Sequence, residues 1–278
     1  SADRIVDAAG NADKLKYSSQ VFQDHSAFEM KGVETLEVTA DGGTTQSGFD
    51  LSGAQGLTLL KSLNSTGRTV FGQVTSLANI EVNNVTSSTG AAFNHQVAVQ
   101  YQDSVVSGAA NEVTLTLANN SNVNPVGGVW IGRVADGTVN PGTGIETLNV
   151  VTSGSAATLT RLTSQISTMN VSGDQNLTIQ DALQPTVDTI AAGGFTGALN
   201  VNLTGNVLGR GALPAAPGVA NTDGVLSITT GSGNDVIDLL VGSAGTAMRA
   251  PTAAEPDNAL GFGEDRSTGV GNGQVTRN

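Results

Sequence analysis

A short cassette recurs along this chain: aliphatic, any residue, Thr/Ser/Asn, aliphatic, any residue, then a small residue or Val, usually after Gly or a turn. The copies are Gly32-Val33-Glu34-Thr35-Leu36-Glu37-Val38, Leu77-Ala78-Asn79-Ile80-Glu81-Val82, Gly144-Ile145-Glu146-Thr147-Leu148-Asn149-Val150, Ile166-Ser167-Thr168-Met169-Asn170-Val171, Val187-Asp188-Thr189-Ile190-Ala191 and Val225-Leu226-Ser227-Ile228-Thr229. Their central aliphatics are Leu36, Ile80, Leu148, Met169, Ile190 and Ile228. From Leu148 to Met169 to Ile190 the step is 21 residues each time, and the further 38 residues to Ile228 are close to two such steps. A unit this short cannot bury its apolar face alone; stacked copies can, and a period near 20 suits one coil of a β-solenoid.

A second strand follows each late cassette. Counted from the central aliphatics, Leu177, Leu199 and Ile237 lie 8, 9 and 9 residues on, so each turn reads as two alternating strands joined by Gly-rich corners. Ser52-Gly53-Ala54-Gln55-Gly56-Leu57-Thr58-Leu59 also echoes as Ser172-Gly173-Asp174-Gln175-Asn176-Leu177-Thr178-Ile179, with Asp174 in place of Ala54. The expected fold is all-β, a parallel β-helix, with an antiparallel sandwich as its competitor. Residues 1–82 and 141–241 are expected to be solenoid, 83–140 an irregular β insertion or side sheet, and 242–278 a Gly/Ala/Pro-rich tail. Residues 206–222, with Pro214 and Pro217, read as a loop leaving the coil; Leu57 to Leu63 is the best, marginal, helix candidate.

Composition narrows the function classes. Without cysteine there are no disulfides, thiol chemistry or cysteine-held metals. A formal net charge of −12 repels nucleic acid and anionic membranes and attracts divalent cations. Only 13% of residues are charged and 4% aromatic, a balance suited to a surface or secreted protein rather than a cytosolic enzyme. No apolar run approaches the length of a membrane helix, and no charged-then-apolar leader or initiator Met opens the chain. It is read as processed, or as an internal piece of a longer polypeptide.

The densest motif is Thr230-Gly231-Ser232-Gly233-Asn234-Asp235-Val236-Ile237-Asp238. Two glycines permit a tight turn that presents carbonyl oxygens, Asp235 supplies a carboxylate, and Ile237 starts an inward strand; such hard oxygens suit calcium. An ordinary Gly-Ser turn before a strand would use the same residues. The motif resembles the calcium-binding nonapeptide Gly-Gly-x-Gly-x-Asp-x-U-x of β-roll proteins, with Thr230 replacing the first glycine. Gly261-Phe262-Gly263-Glu264-Asp265 is a second, weaker instance, with Ser267 where the aliphatic belongs. Together with the cassettes at 32–38 and 144–150 and the element at 172–179, the loop resembles surface-layer (S-layer) proteins and RTX-type adhesins of Gram-negative bacteria. Asp7 to Leu15 looks like a decayed nonapeptide. Tandem nonapeptides, which the strongest members carry, are absent.

The resemblance implies a calcium-stiffened β-solenoid, exported in one step (type I secretion) on a C-terminal signal and assembled on the bacterial cell surface, where ion binding drives folding. The implied cofactor is Ca2+; the expected ligands are Asp235 with Gly231, Gly233 and Asn234, then Asp238, Asp174 and Asp265. Enzymatic activity is not expected: His25 and His95 are the only histidines, neither in ligand spacing, Trp130 is the sole tryptophan, and the basic residues look scattered. The expected function is a self-assembling structural protein, as an S-layer lattice or extracellular filament, with copies of itself as partners. The alternative is the stalk or ligand-binding region of a secreted adhesin, with cell-surface polysaccharide as a second candidate partner. Scarce aromatics favour self-assembly, since sugars stack on Trp or Tyr.

Overall fold

The computed structural model describes residues 4–6, 10, 12–21, 23–25, 29–42, 46–86, 95–119, 127–133, 144–184, 186–208, 226–241 and 272–277. Among them every regular element is a strand. The first seven are β1 (Arg4–Val6), β2 (Lys14–Ser19), β3 (Gln23–His25), β4 (Glu29–Lys31), β5 (Thr35–Ala40), β6 (Gln46–Asp50) and β7 (Gly53–Gln55). Next come β8 (Leu59–Leu63), β9 (Arg68–Val74), β10 (Asn79–Asn83), β11 (Val97–Tyr101), β12 (Glu112–Asn119), β13 (Gly127–Arg133), β14 (Thr147–Gly154) and β15 (Ala157–Thr163). The last are β16 (Thr168–Gly173), β17 (Leu177–Ile179), β18 (Thr189–Ala191), β19 (Leu199–Leu208), β20 (Ser227–Thr229), β21 (Asp235–Val241) and β22 (Asn272–Arg277).

They form three sheets. A nine-stranded sheet runs β2-β5-β8-β10-β12-β14-β16-β18-β20, a ten-stranded sheet runs β22-β21-β19-β17-β15-β13-β11-β9-β6-β3, and a short one runs β1-β4-β7. Parallel neighbours need a crossover. Here a strand of another sheet lies on each crossover, and among the described residues the one antiparallel pair is β21 with β22. The molecule is therefore all-β with two long, essentially parallel sheets.

Alternation decides which side chains go inside. In β12 the buried positions are Val113, Leu115, Leu117 and Asn119, and in β14 they are Leu148, Val150 and Thr152. Register turns these into rows along the stack: Leu15, Leu36, Leu60, Ile80, Leu115, Val150 and Val171 form one. Val113, Leu148, Met169, Ile190 and Ile228 form a second. Across the core, Phe49, Phe71, Val99 and Ile131 form a third, begun by stacked rings 6.3 Å apart. Burial of these side chains, about 1.5–3 kcal/mol each, is the main force holding the sheets together.

Two expectations change. Leu57 to Leu63 contains no helix: Leu60 faces the core and β8 lies between β5 and β10. The span 83–140, read as an insertion or side sheet, supplies β11, β12 and β13, which sit inside the two long sheets in register with their neighbours. Their alternating apolar residues continue the same core. In the tail, β22 lies against β21.

Candidate metal centre

The loop 230–234 joins β20 to β21 and lies directly on the turn one level below. The Ala192 N–H donates to the Thr229 carbonyl at 2.7 Å, and the Ser232 N–H donates to the Phe195 carbonyl at 3.1 Å. A methyl on Gly231 would run into the Phe195 carbonyl oxygen, and one on Gly233 into the Gly197 carbonyl oxygen. Gly197 lies equally close on Gln175, so glycine is required here by backbone contact between levels.

Asp235 opens β21 with its side chain inside, 1% exposed. Its Oδ1 accepts the Leu199 N–H at 2.9 Å. Its Oδ2 is buried without a hydrogen-bond partner. One level below, Asn176 Oδ1 accepts the Ala198 N–H at 2.9 Å, an uncharged corner bond that runs in the opposite sense, from the level above. A carboxylate oxygen left bare in the interior is costly, and a hard cation is one partner that offsets the cost.

The other sequence-derived candidates lie apart from it. Asp238, three residues along a strand, projects to the opposite face of β21, level with Asn202 of β19. Asn234 is exposed in the loop. Asp174 is exposed after β16, where its Oδ1 accepts a bond from Gln175 Nε2 at 3.0 Å. Asp265 lies outside the described residues. Among the described residues no three His, Asp or Glu side chains converge in a way that could hold a metal. A cation at Asp235 would thus rest on one carboxylate and would take the rest of its oxygen shell from backbone or solvent.

Basic residues that look scattered in sequence are gathered by the strand register. Lys14, Lys16 and Lys61 surround Glu37 at 3.2, 3.7 and 3.8 Å, and Lys61 reaches Glu81 at 2.8 Å, forming an ion column on the nine-stranded sheet. On the ten-stranded sheet His95 bonds Thr163 at 2.9 Å, and Arg68 and Arg161 act on its imidazole. Burial first, then these two guanidiniums, lower the His95 pKa to about 4, so it is neutral at physiological pH. His25 bonds the Tyr17 hydroxyl at 2.7 Å and stacks on Phe49. No protein-family model, curated protein or solved structure matches the chain.

Proposed function

We propose that this chain is a calcium-dependent structural protein of the bacterial cell surface, a parallel β-helix that assembles with copies of itself into an S-layer lattice or filament. The observation that carries the reading is the pair of long parallel sheets sharing one continuous core. Such stacks are stiff and linear. Both sheets also terminate in edge strands, β2 and β3 at one end and β20 and the antiparallel β22 at the other, with backbone groups of the kind that pair with another copy. A head-to-tail contact of that kind propagates instead of closing.

Calcium enters through Asp235. Its bare oxygen is the kind of hard donor this ion takes, and binding would add to the tie between β21 and the level below. The role is non-catalytic. His25 is engaged with Tyr17 and Phe49, and Asp235 and Asp238 lie on opposite faces of a strand, which disfavours a carboxylate pair. An adhesin stalk or ligand-binding region is the second reading, favoured by the cluster around His95 and Trp130.

The test is light scattering during calcium titration, from chelator to millimolar ion, on the wild-type chain and on Asp235→Ala. Large assemblies from wild type, with the variant needing much more ion, support the reading. Monomers indifferent to calcium in both samples would overturn it.

A further inference from the structure

We propose that the outer face of the ten-stranded sheet carries a binding site for an acidic polysaccharide, with a uronic-acid ring against Trp130, its carboxylate toward Arg161 and Arg68, and a hydroxyl in the recess at Ser164. The site is independent of the calcium and assembly readings.

The platform comes from register. Trp130 of β13 faces outward between Ala98 of β11 and Thr163 of β15, with Val70 one strand beyond Ala98. Its same-face neighbours along β13 are Gly128 and Gly132, so bare backbone flanks the half-buried indole. An aromatic ring on a flat, small-residue floor receives the apolar C–H face of a pyranose.

A recess opens beside it. Trp130, Thr163, Ser164, Gln165 and Gln184 line a cavity of ≈ 20 Å³, room for one water or one hydroxyl. Ser164 is 4% exposed, and its Oγ is buried with no hydrogen-bond partner. A sugar hydroxyl seated there would satisfy it, while the amide of Gln184 offers both donors and acceptors.

Charge selects the sugar. In a chain of net charge −12, the register sets Arg161 against Gly128, two residues from Trp130 on the same face of β13, and Arg68 lies on the same sheet two residues before Val70. Gln46 Oε1 accepts from Arg68 Nη1 at 3.0 Å, which orients that guanidinium. Asp181 takes the Nε of Arg161 at 2.7 Å and fixes its plane; the terminal nitrogens make no other hydrogen bond among the described residues. A guanidinium held this way suits a ligand carboxylate. The neutral imidazole of His95 and the Thr163 hydroxyl add uncharged hydrogen-bonding groups at its side.

Trp130 is the only tryptophan, so its emission reports this site alone. The full chain is titrated with a galacturonic acid hexamer, a maltohexaose of equal length and a sulfated hexasaccharide. Emission should change saturably with the galacturonide, whose affinity should exceed that of the neutral hexamer by about tenfold. Arg161→Gln should abolish that preference. Trp130→Phe, followed by calorimetry, should weaken the galacturonide by about tenfold. The proposal fails if no sugar changes the emission, if Arg161→Gln keeps the preference, or if the sulfated arm binds as tightly as the galacturonide, which would indicate general polyanion attraction.

Discussion

The Asp235 carboxylate has one oxygen bonded to the Leu199 N–H and the other buried without a partner, so replacing it with Asn separates charge from hydrogen bonding. The amide keeps the acceptor toward Leu199 and removes a negative charge from the interior. Without a cation, the wild type leaves a charged oxygen bare and the variant a neutral amide NH2, the smaller penalty of the two, so Asp235→Asn should be as stable as wild type or more so. With calcium at about a hundred times its dissociation constant, wild type gains about 2.7 kcal/mol that the variant forgoes. The substitution is therefore less favourable in calcium than in chelator by about 2.7 kcal/mol. Urea unfolding followed by circular dichroism, in chelator and in millimolar calcium, measures both limbs. The same stability difference in both buffers would refute the reasoning and leave Asp235 as a corner hydrogen bond alone.

Other expectations can be checked on the same unfolding curves. Gly231→Ala and Gly233→Ala push a methyl into backbone carbonyls and should each cost about 2–4 kcal/mol, whereas exposed Gly194, with open space at its Cβ position, should accept Ala within about 1 kcal/mol. Ser65 accepts the Ala40 N–H at 3.0 Å and bonds Ser62 at 3.0 Å, all three residues fully buried; Ser65→Ala should cost about 1–3 kcal/mol in unfolding free energy. His95 is held below its ordinary pKa of 6.5, so the unfolded chain protonates first as pH falls. Its contribution should be full above pH 6.5 and decline toward about 4, and His95→Gln should flatten that part of the melting-temperature profile.

The row through Leu148, Met169, Ile190 and Ile228 was legible because every member is apolar and the first three are 21 residues apart. The 38 residues before Ile228, close to two such steps in length, nevertheless make a single level, since β18 pairs directly with β20. The level at Leu60 was not. It places Ser62 inside, between Val38 and Val82, so the alternation is masked by a hydroxyl whose partners, Ser65 and Thr69, are fixed only by folding. The echo of 52–59 in 172–179 has no spatial counterpart, since Leu59 pairs in the nine-stranded sheet and Ile179 in the ten-stranded one. Ile237 stacks on Val201, two residues beyond the Leu199 that spacing suggested. That shift brings Asp235 level with Leu199 and accounts for its burial, which a motif match alone cannot convey. The grouping of Trp130, His95, Arg68 and Arg161 was equally hidden, because residues far apart in sequence meet only through cross-strand register.

In the two long sheets no strand pairs with any but the one directly above or below it. Leu148, Met169 and Ile190 are therefore interchangeable steps of one ladder, separated by whole 21-residue units. Copying or excising such a unit would rejoin the rows without altering those already in place. Reach then becomes a matter of counting, gained or lost at about 4.8 Å per level. A lineage carrying this chain could tune how far it extends by duplication within its coding sequence, with no need to invent a new core.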